Sequence, residues 1–185
     1  AQELRGAGLA YAGISLDGLA DVHNTMRGVA GTFELTLQGL EQCRAAGLKT
    51  GLRLTLTRHN QNQLQDIFQL LVEREIGRIC FYHLVPSGRG RAMAGAELSH
   101  AETRQALDLI LSETRRLHEA GLPKEVLTVD NHADGAYLWL KLREENAAAA
   151  ATAYKLLRQN GGNSSGLGIA CIDAQGQVLP DQFWR

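Results

Sequence analysis

Alternating apolar and polar residues predict a short β-strand near the start of the chain. Within residues 11–17, Ile14 and Leu16 point to one side, whereas Ser15 and Asp17 point to the other. A strand buried inside a parallel sheet is normally apolar on both sides. The polar side therefore indicates either a site at the carboxyl end of the strand, as in α/β barrels, or a half-exposed strand that ends in a turn at Asp17.

The same alternation recurs in a second predicted strand at 51–57. Its leucines lie on one side, and Arg53, Thr55 and Thr57 lie on the other. If the strands close into a barrel, the leucines lie beneath the helices and Arg53 lines a polar lumen together with Ser15. An open edge strand with one wetted side would show the same pattern.

A third predicted strand, 79–85, is apolar except for Tyr82 and His83. His83 is either a hydrogen-bonded core residue or a lumen residue placed for proton transfer or hydrogen bonding. The strand ends at Pro86, and Arg89 and Arg91 follow between glycines. That loop either binds a carboxylate or phosphate through its cations and backbone amides, or only connects two elements.

Amphipathic helices follow the predicted strands. Apolar residues recur at three- and four-residue spacing in 33–43, 64–71 and 107–117, and Ser99 with Glu102 predicts a capping box. The segment 18–32 is predicted as a loop. Strand–helix units in series predict an α/β fold with parallel strands, amounting to about half of a barrel that would need roughly 250 residues.

Composition narrows the class of protein. The 185 residues are 44% hydrophobic and 21% charged with a net charge of -1, which is typical of a globular chain and argues against a general nucleic-acid or membrane-surface binder. Three widely spaced cysteines predict no disulfide framework and favour a reducing, cytoplasmic compartment. The chain does not begin with Met, and its first residues are typical of a helix already under way, so we expect a piece of a longer protein.

The last third has a different pattern. A short strand at 125–131 is followed by an alanine-rich helix at 147–159, a glycine loop at 160–168 and a hairpin at 169–179 that contains Cys171. We therefore predict a division into 1–121 and 122–185.

Several motifs resemble the radical S-adenosylmethionine (SAM) enzymes that carry a C-terminal auxiliary iron–sulfur domain. They are G-I-S-L-D-G at 13–18, H-x-x-x-R-G at 23–28 and A-C-I-D-x-x-G-x-V-x-P at 170–180. The chain is similar in particular to the radical SAM family of heme d1 biosynthesis, the NirJ family. The further matches are L-R-L-T-L-T-R-H-N at 52–60, F-Y-H-L-V-P-S-G-R-G at 81–90, T-V-D-N-H-A-D-G at 128–135 and N-G-G-N at 160–163.

This resemblance implies a partial (βα)6 TIM-like barrel whose C-terminal half is 1–121. Residues 122–185 would then be a linker helix and the truncated start of a small α+β auxiliary-cluster domain of SPASM or twitch type. The family cleaves SAM on a [4Fe–4S] cluster whose cysteine loop is absent from this segment, so the segment alone is expected to be inactive. A second [4Fe–4S] cluster and an electron donor such as flavodoxin or ferredoxin are also implied.

The resemblance also implies a substrate and residue roles. The substrate would be the tetrapyrrole 12,18-didecarboxysiroheme, whose propionates are replaced by oxo groups. Cofactor contacts are expected from Ser15, Asp17, Arg53, Val85 and Pro86. Tetrapyrrole carboxylates would be bound by His83, Arg89 and Arg91, and Cys171 would be the first ligand of the auxiliary cluster.

Two other functions fit the same residues. One is a different radical SAM enzyme, either a heme-synthase-type decarboxylase or a peptide maturase. The other is a truncated, non-catalytic α/β domain that binds a carboxylated ligand or a partner.

Overall fold

Four parallel strands form the sheet of the larger structural unit. They are β1 (Tyr11–Ser15), β2 (Lys49–Leu56), β3 (Arg78–His83) and β4 (Glu125–Val129), and they lie in the order β1-β2-β3-β4. Every neighbouring pair is parallel. The computed structural model describes residues 1–181, 183 and 184, with the backbone alone at 88 and 89.

Most of the helices lie between these strands along the chain, and the last two belong to the second unit. They are α1 (Gln2–Gly6), α2 (Ala20–Arg27), α3 (Thr32–Ala45), α4 (Leu64–Glu73), α5 (His100–Glu119), α6 (Ala133–Glu145) and α7 (Ala147–Asn160). Two 3-10 helices span Gln61–Gln63 and Gly88–Ala96, and β5 (Cys171–Ile172) pairs antiparallel with β6 (Val178–Leu179). None of the described helices combines the length and the apolar character that crossing a bilayer requires.

The leucines of β2 face the helices, as the barrel hypothesis predicted. Leu52, Leu54 and Leu56 are at most 1% exposed and belong to one apolar cluster with residues of α3, α4 and α5. Phe68 of α4 and Phe81 of β3 stack in this cluster with ring centroids 5.8 Å apart. The opposite side of the sheet is more open, since Gly13 and Arg53 are exposed. The sheet therefore has one packed side and one accessible side.

One expectation about the chain's organisation needs correction. The segment 18–32 is not a loop throughout, because α2 lies inside it and is capped by Gly28, which has the left-handed conformation with φ 71°. The chain forms two compact units whose main division lies after Asp130, and β4 pairs along β3 in the first of them; the division into the domains 1–121 and 122–185 stays a prediction. The first unit comprises Ala1–Val85 with Ala92–Asp130, and the second comprises Pro86–Arg91 with Asn131–Arg185.

The second unit is built on its two helices. Trp139 of α6 and Tyr154 of α7 have ring centroids 5.6 Å apart. Gly135 gives Leu157 close access, since a Cβ at Gly135 would lie 2.5 Å from Leu157 Cδ2. A larger residue at this position would require the Leu157 side chain to move.

The predicted capping box at the start of α5 is confirmed. The Glu102 amide donates to Ser99 Oγ at 3.3 Å, and the Ser99 amide donates to Glu102 Oε2 at 2.7 Å. Arg58, in the loop after β2, donates to the same carboxylate at 3.2 Å. Chiefly through the bonds with Ser99, the pKa of Glu102 is lowered from 4.5 to about 2. Glu102 thus joins α5 to the end of β2 while it is ionised.

Replacing Glu102 by Gln should make the free energy of unfolding less dependent on pH in acidic solution. A carboxyl whose folded pKa is lowered stabilises the fold fully above its unfolded pKa of 4.5, and this contribution disappears as the pH falls toward about 2. We therefore expect the urea midpoint of wild type to be higher than that of Glu102→Gln above pH 4.5. Below pH 4.5 the two midpoints should converge. The control is Glu119→Gln, at the exposed end of α5; an equal pH-dependent change in both variants would contradict the assignment.

Candidate functional site

Parallel register brings Ser15 and Arg53 side by side on the accessible side of the sheet. Ser15 pairs with Arg53 in the β1–β2 ladder, and the Leu16 amide donates to the Arg53 carbonyl at 2.9 Å. Paired residues of parallel strands place their side chains on the same side. Ser15 is the last residue of β1, at the end of the sheet where barrel enzymes place their sites, and Arg53 lies beside it in the second half of β2. The predicted grouping of these two residues therefore agrees with the register.

Arg53 is held by an aromatic ring. Its guanidinium carbon lies 4.7 Å from the centre of the Tyr82 ring, which leaves the planar group accessible. Among the described residues Arg53 forms no ion pair with a carboxylate. Gly13 keeps this space open, because a Cβ at that position would lie 3.2 Å from Arg53 Cδ.

Tyr82 also lies on the accessible side of the sheet, and it was not among the site residues predicted from the sequence. Burial raises the pKa of its hydroxyl, and a hydrogen bond with the Cys80 side chain raises it further, while Arg53 opposes the shift. The hydroxyl is therefore neutral at ordinary pH and can donate a hydrogen bond. The sequence gives no local signal for this role, because the pairing of Tyr82 with Thr55 across β2 and β3 is a tertiary contact.

The carboxylate of Asp17 joins the ends of β1 and β2. Its Oδ1 accepts from the Thr55 amide at 3.2 Å, and its Oδ2 pairs with Arg27 of α2 at 2.5 Å. Asp17 is 6% exposed. Because both carboxylate oxygens have partners within the protein, the structure supports a positioning role for Asp17 more directly than the expected cofactor contact.

Asn60 completes the connection between the two strands. Its Nδ2 donates to the Asp17 carbonyl at 2.9 Å and to the Thr55 carbonyl at 2.7 Å, and its Oδ1 accepts from the Thr57 amide at 2.9 Å. The side chain is fully buried. One carboxamide thus bonds three backbone groups at and beyond the ends of the two strands.

His23 and Arg27 explain the spacing of the H-x-x-x-R-G motif. Residues four apart share one side of a helix, and from α2 both reach Asp17. His23 Nδ1 accepts from the Asp17 amide at 3.0 Å, and its Nε2 lies 3.4 Å from Thr36 Oγ1. Burial lowers the pKa of the His23 imidazole, and the Asp17 carboxylate partly offsets this. A neutral imidazole is the form that can accept from the amide.

His83 lies on the other side of the sheet. It pairs with Leu56, whose side chain is 1% exposed in the core, so the expected convergence of His83 with Ser15 and Arg53 is wrong. The physical reason is the two-residue period, which gives His83 the orientation of Ile79 and Phe81. Its role toward a substrate is untested.

The loop residues are divided between the two units. Val85 is half-buried at the end of the first unit, whereas Pro86 and Arg91 are exposed residues of the second. The side chain of Arg89 lies outside the described residues. Adenine contacts at Val85 and Pro86 and carboxylate binding by Arg89 and Arg91 therefore remain predictions.

Cys171 lies at the start of the hairpin, paired with Leu179, and is half-buried. Within the described part of the chain, no group of three or more His, Cys, Asp or Glu side chains could hold a metal ion. The thiol can therefore supply one ligand of a cluster, and the residues described here do not complete one.

The fold is that of radical SAM enzymes. Streptococcus suis SuiB bound to S-adenosylmethionine aligns with 93% of this chain and 36% of its own at a TM-score of 0.64 and 14% identity. The enzyme anSMEcpe, solved with AdoMet and a peptide, aligns with 100% of this chain and 49% of its own at a TM-score of 0.62 and 15% identity. The predicted α/β half-barrel is thus confirmed.

Two sequence relatives that align with nearly the whole chain are enzymes of heme synthesis. The Fe-coproporphyrin III synthase of Methanosarcina barkeri is 52% identical over 185 residues, and the pre-heme d1 synthase of Dinoroseobacter shibae is 39% identical over 180 residues. The two alignments cover 100% and 96% of this chain. They cover 46% and 44% of the relatives, so the chain spans about half the length of these proteins. These relatives and the structural neighbours are radical SAM enzymes. Similarity to the NirJ family in particular is not confirmed, and no protein-family model matches the chain.

Replacing Asn60 by Ala should destabilise the fold strongly. The substitution leaves the Asp17 and Thr55 carbonyls and the Thr57 amide buried without this partner, and we expect a loss of about 2–3 kcal/mol. The measurement is urea unfolding followed by circular dichroism.

Asn62→Ala is the matched control, because Asn62 is exposed two residues away. We expect the control to change stability by less than about 0.5 kcal/mol. Equal effects of the two substitutions would show that the Asn60 bonds do not hold the strand ends.

Proposed function

We propose that this chain is part of a radical SAM enzyme that modifies the side chains of a tetrapyrrole. The observation that carries the proposal is the 52% identity with an Fe-coproporphyrin III synthase across all 185 residues. Similarity to a peptide maturase, the mycofactocin maturase MftC of Mycobacterium ulcerans, extends over only 79 residues at 42% identity. The comparison therefore favours a tetrapyrrole over a peptide.

In this proposal Ser15 and Arg53 bind the amino-acid part of SAM. A carboxylate fits the Arg53 guanidinium, which is accessible above Tyr82, and the neighbouring Ser15 hydroxyl adds a neutral hydrogen bond. When bound and reductively cleaved, SAM supplies a 5′-deoxyadenosyl radical. Asp17, His23 and Asn60 hold the strand ends on which the two contact residues lie.

The relatives also support a more specific proposal for the reaction. A pre-heme d1 synthase is among them, which supports conversion of propionate side chains of 12,18-didecarboxysiroheme to oxo groups. A heme-synthase-type reaction on related propionates is the second candidate, supported by AdoMet-dependent heme synthases such as that of Oleidesulfovibrio alaskensis, 37% identical over 103 residues. Cys171 as a ligand of a second [4Fe–4S] cluster and a flavodoxin or ferredoxin as electron donor belong to the same proposal.

The test uses full-length protein purified without oxygen, with its iron–sulfur clusters reconstituted. With a strong reductant, SAM and a propionate-bearing tetrapyrrole, we expect release of 5′-deoxyadenosine and a mass change of the tetrapyrrole. Arg53→Ala should weaken SAM binding by about tenfold or more because it removes a charge-assisted hydrogen bond.

Arg104→Ala, an exposed position of α5, is the matched control and should bind SAM as wild type does. Cleavage of SAM without any change in the tetrapyrrole would contradict the proposed substrate. Unchanged SAM affinity in Arg53→Ala would contradict the proposed cofactor site.

A further inference from the structure

The first unit contains an open cleft that the proposed SAM contacts do not line. We call it the methionine cleft; its volume is about 480 Å³, and its lining residues are Asp21, Val22, Thr25, Met26, His59 and Met93. This volume lies within the range of roughly 300–1,000 Å³ that small-molecule sites occupy.

The cleft is built from the connections that follow three successive strands. One wall is a face of α2, which follows β1; His59 lies in the loop after β2, and Met93 lies in the 3-10 helix after β3. The carboxyl ends of parallel strands meet at one edge of a sheet, and ligands of α/β folds bind at that edge. The methionine cleft therefore has the location of a ligand site.

Its side chains suit a large, flat, apolar ligand. The chain has two methionines, and both Met26 and Met93 line this cleft beside Val22. Thioether side chains are flexible and polarizable, and they adapt to apolar surfaces of irregular shape. The Asp21 carboxylate is the acidic group of the lining, so acidic substituents of a ligand would point away from it.

His59 adds one donor suited to a metal. It is exposed and has no hydrogen bond, ion pair or ring contact among the described residues. The described residues contain no cluster of three His, Cys, Asp or Glu side chains that could hold a bare ion. A single imidazole suffices only where the ligand brings its own metal with most coordination positions filled, as iron in a tetrapyrrole does.

We propose that the methionine cleft binds the apolar face of an iron tetrapyrrole and that His59 is an axial ligand of its iron. The choice of ligand class rests on the proposed function, since an Fe-coproporphyrin III synthase is among the relatives. In this arrangement Met26 and Met93 pack against the macrocycle, and the propionates extend away from Asp21.

The test is titration of the full-length protein with hemin and, separately, with metal-free protoporphyrin IX, followed by absorption and electron paramagnetic resonance spectra. We expect hemin to give the spectrum of a histidine-ligated iron. His59→Ala should lose this spectrum and weaken hemin binding by about tenfold, while affinity for the metal-free porphyrin changes by less than about twofold. Met26→Glu, which places a charge in the apolar wall, should weaken binding of both probes.

His118→Ala, an exposed histidine of α5, is the control and should leave both titrations unchanged. An unchanged hemin spectrum in His59→Ala, or absence of hemin binding by wild type, would overturn the proposal. These readouts do not depend on SAM cleavage. A protein that shows His59-dependent hemin binding but releases no 5′-deoxyadenosine would therefore refute the proposed function and leave the cleft assignment standing.

Discussion

The hydrogen bonds of Asn60 with the ends of β1 and β2 are the constraint on which the rest of the site depends. Parallel strands end with backbone groups that have no partner in the ladder. When these groups are buried, they need another hydrogen-bond partner, because an unpaired one costs free energy. The Asn60 carboxamide bonds the Asp17 and Thr55 carbonyls, and the Asp17 carboxylate in turn accepts from the Thr55 amide. This buried network fixes where each strand stops, and therefore which side chains reach the carboxyl edge of the sheet.

The consequences extend to both sides of the sheet and to α2. With the register fixed, the leucines of β2 fill the core beneath the helices, while Ser15 and Arg53 face the accessible side. The same carboxylate receives Arg27, and the amide of Asp17 binds His23, so α2 is anchored to the end of β1. Since α2 also forms one wall of the methionine cleft, one polar network positions both proposed ligand sites.

Sequence reasoning predicted most of the fold because period and caps are local signals. The two-residue alternation in β2 separated Arg53 from its leucines, and the Ser99–Glu102 pair marked the start of α5. The strand β3 is apolar on both sides, so its pattern could not show which side His83 takes; pairing with Leu56 decides that, and it is a tertiary property.

The remaining errors have the same origin. The sequence of α2 is largely polar, and its helix depends on contacts of His23 that lie outside the segment itself. The strand β4 follows the long helix α5 at a distance in sequence, and only its pairing with β3 assigns it to the first unit. Asn60 and Tyr82 were not selected because an amide in a loop and a tyrosine in an apolar strand carry no local signal of their contacts.

We propose that the accessible side of the sheet, around Ser15 of β1 and Arg53 of β2, binds SAM. A crystal structure of the full-length, cluster-loaded protein with SAM tests it most directly. We expect the SAM carboxylate within hydrogen-bonding distance of Arg53 and the amino-acid moiety next to Ser15. SAM bound elsewhere, with Arg53 and Ser15 in contact with solvent alone, would contradict it.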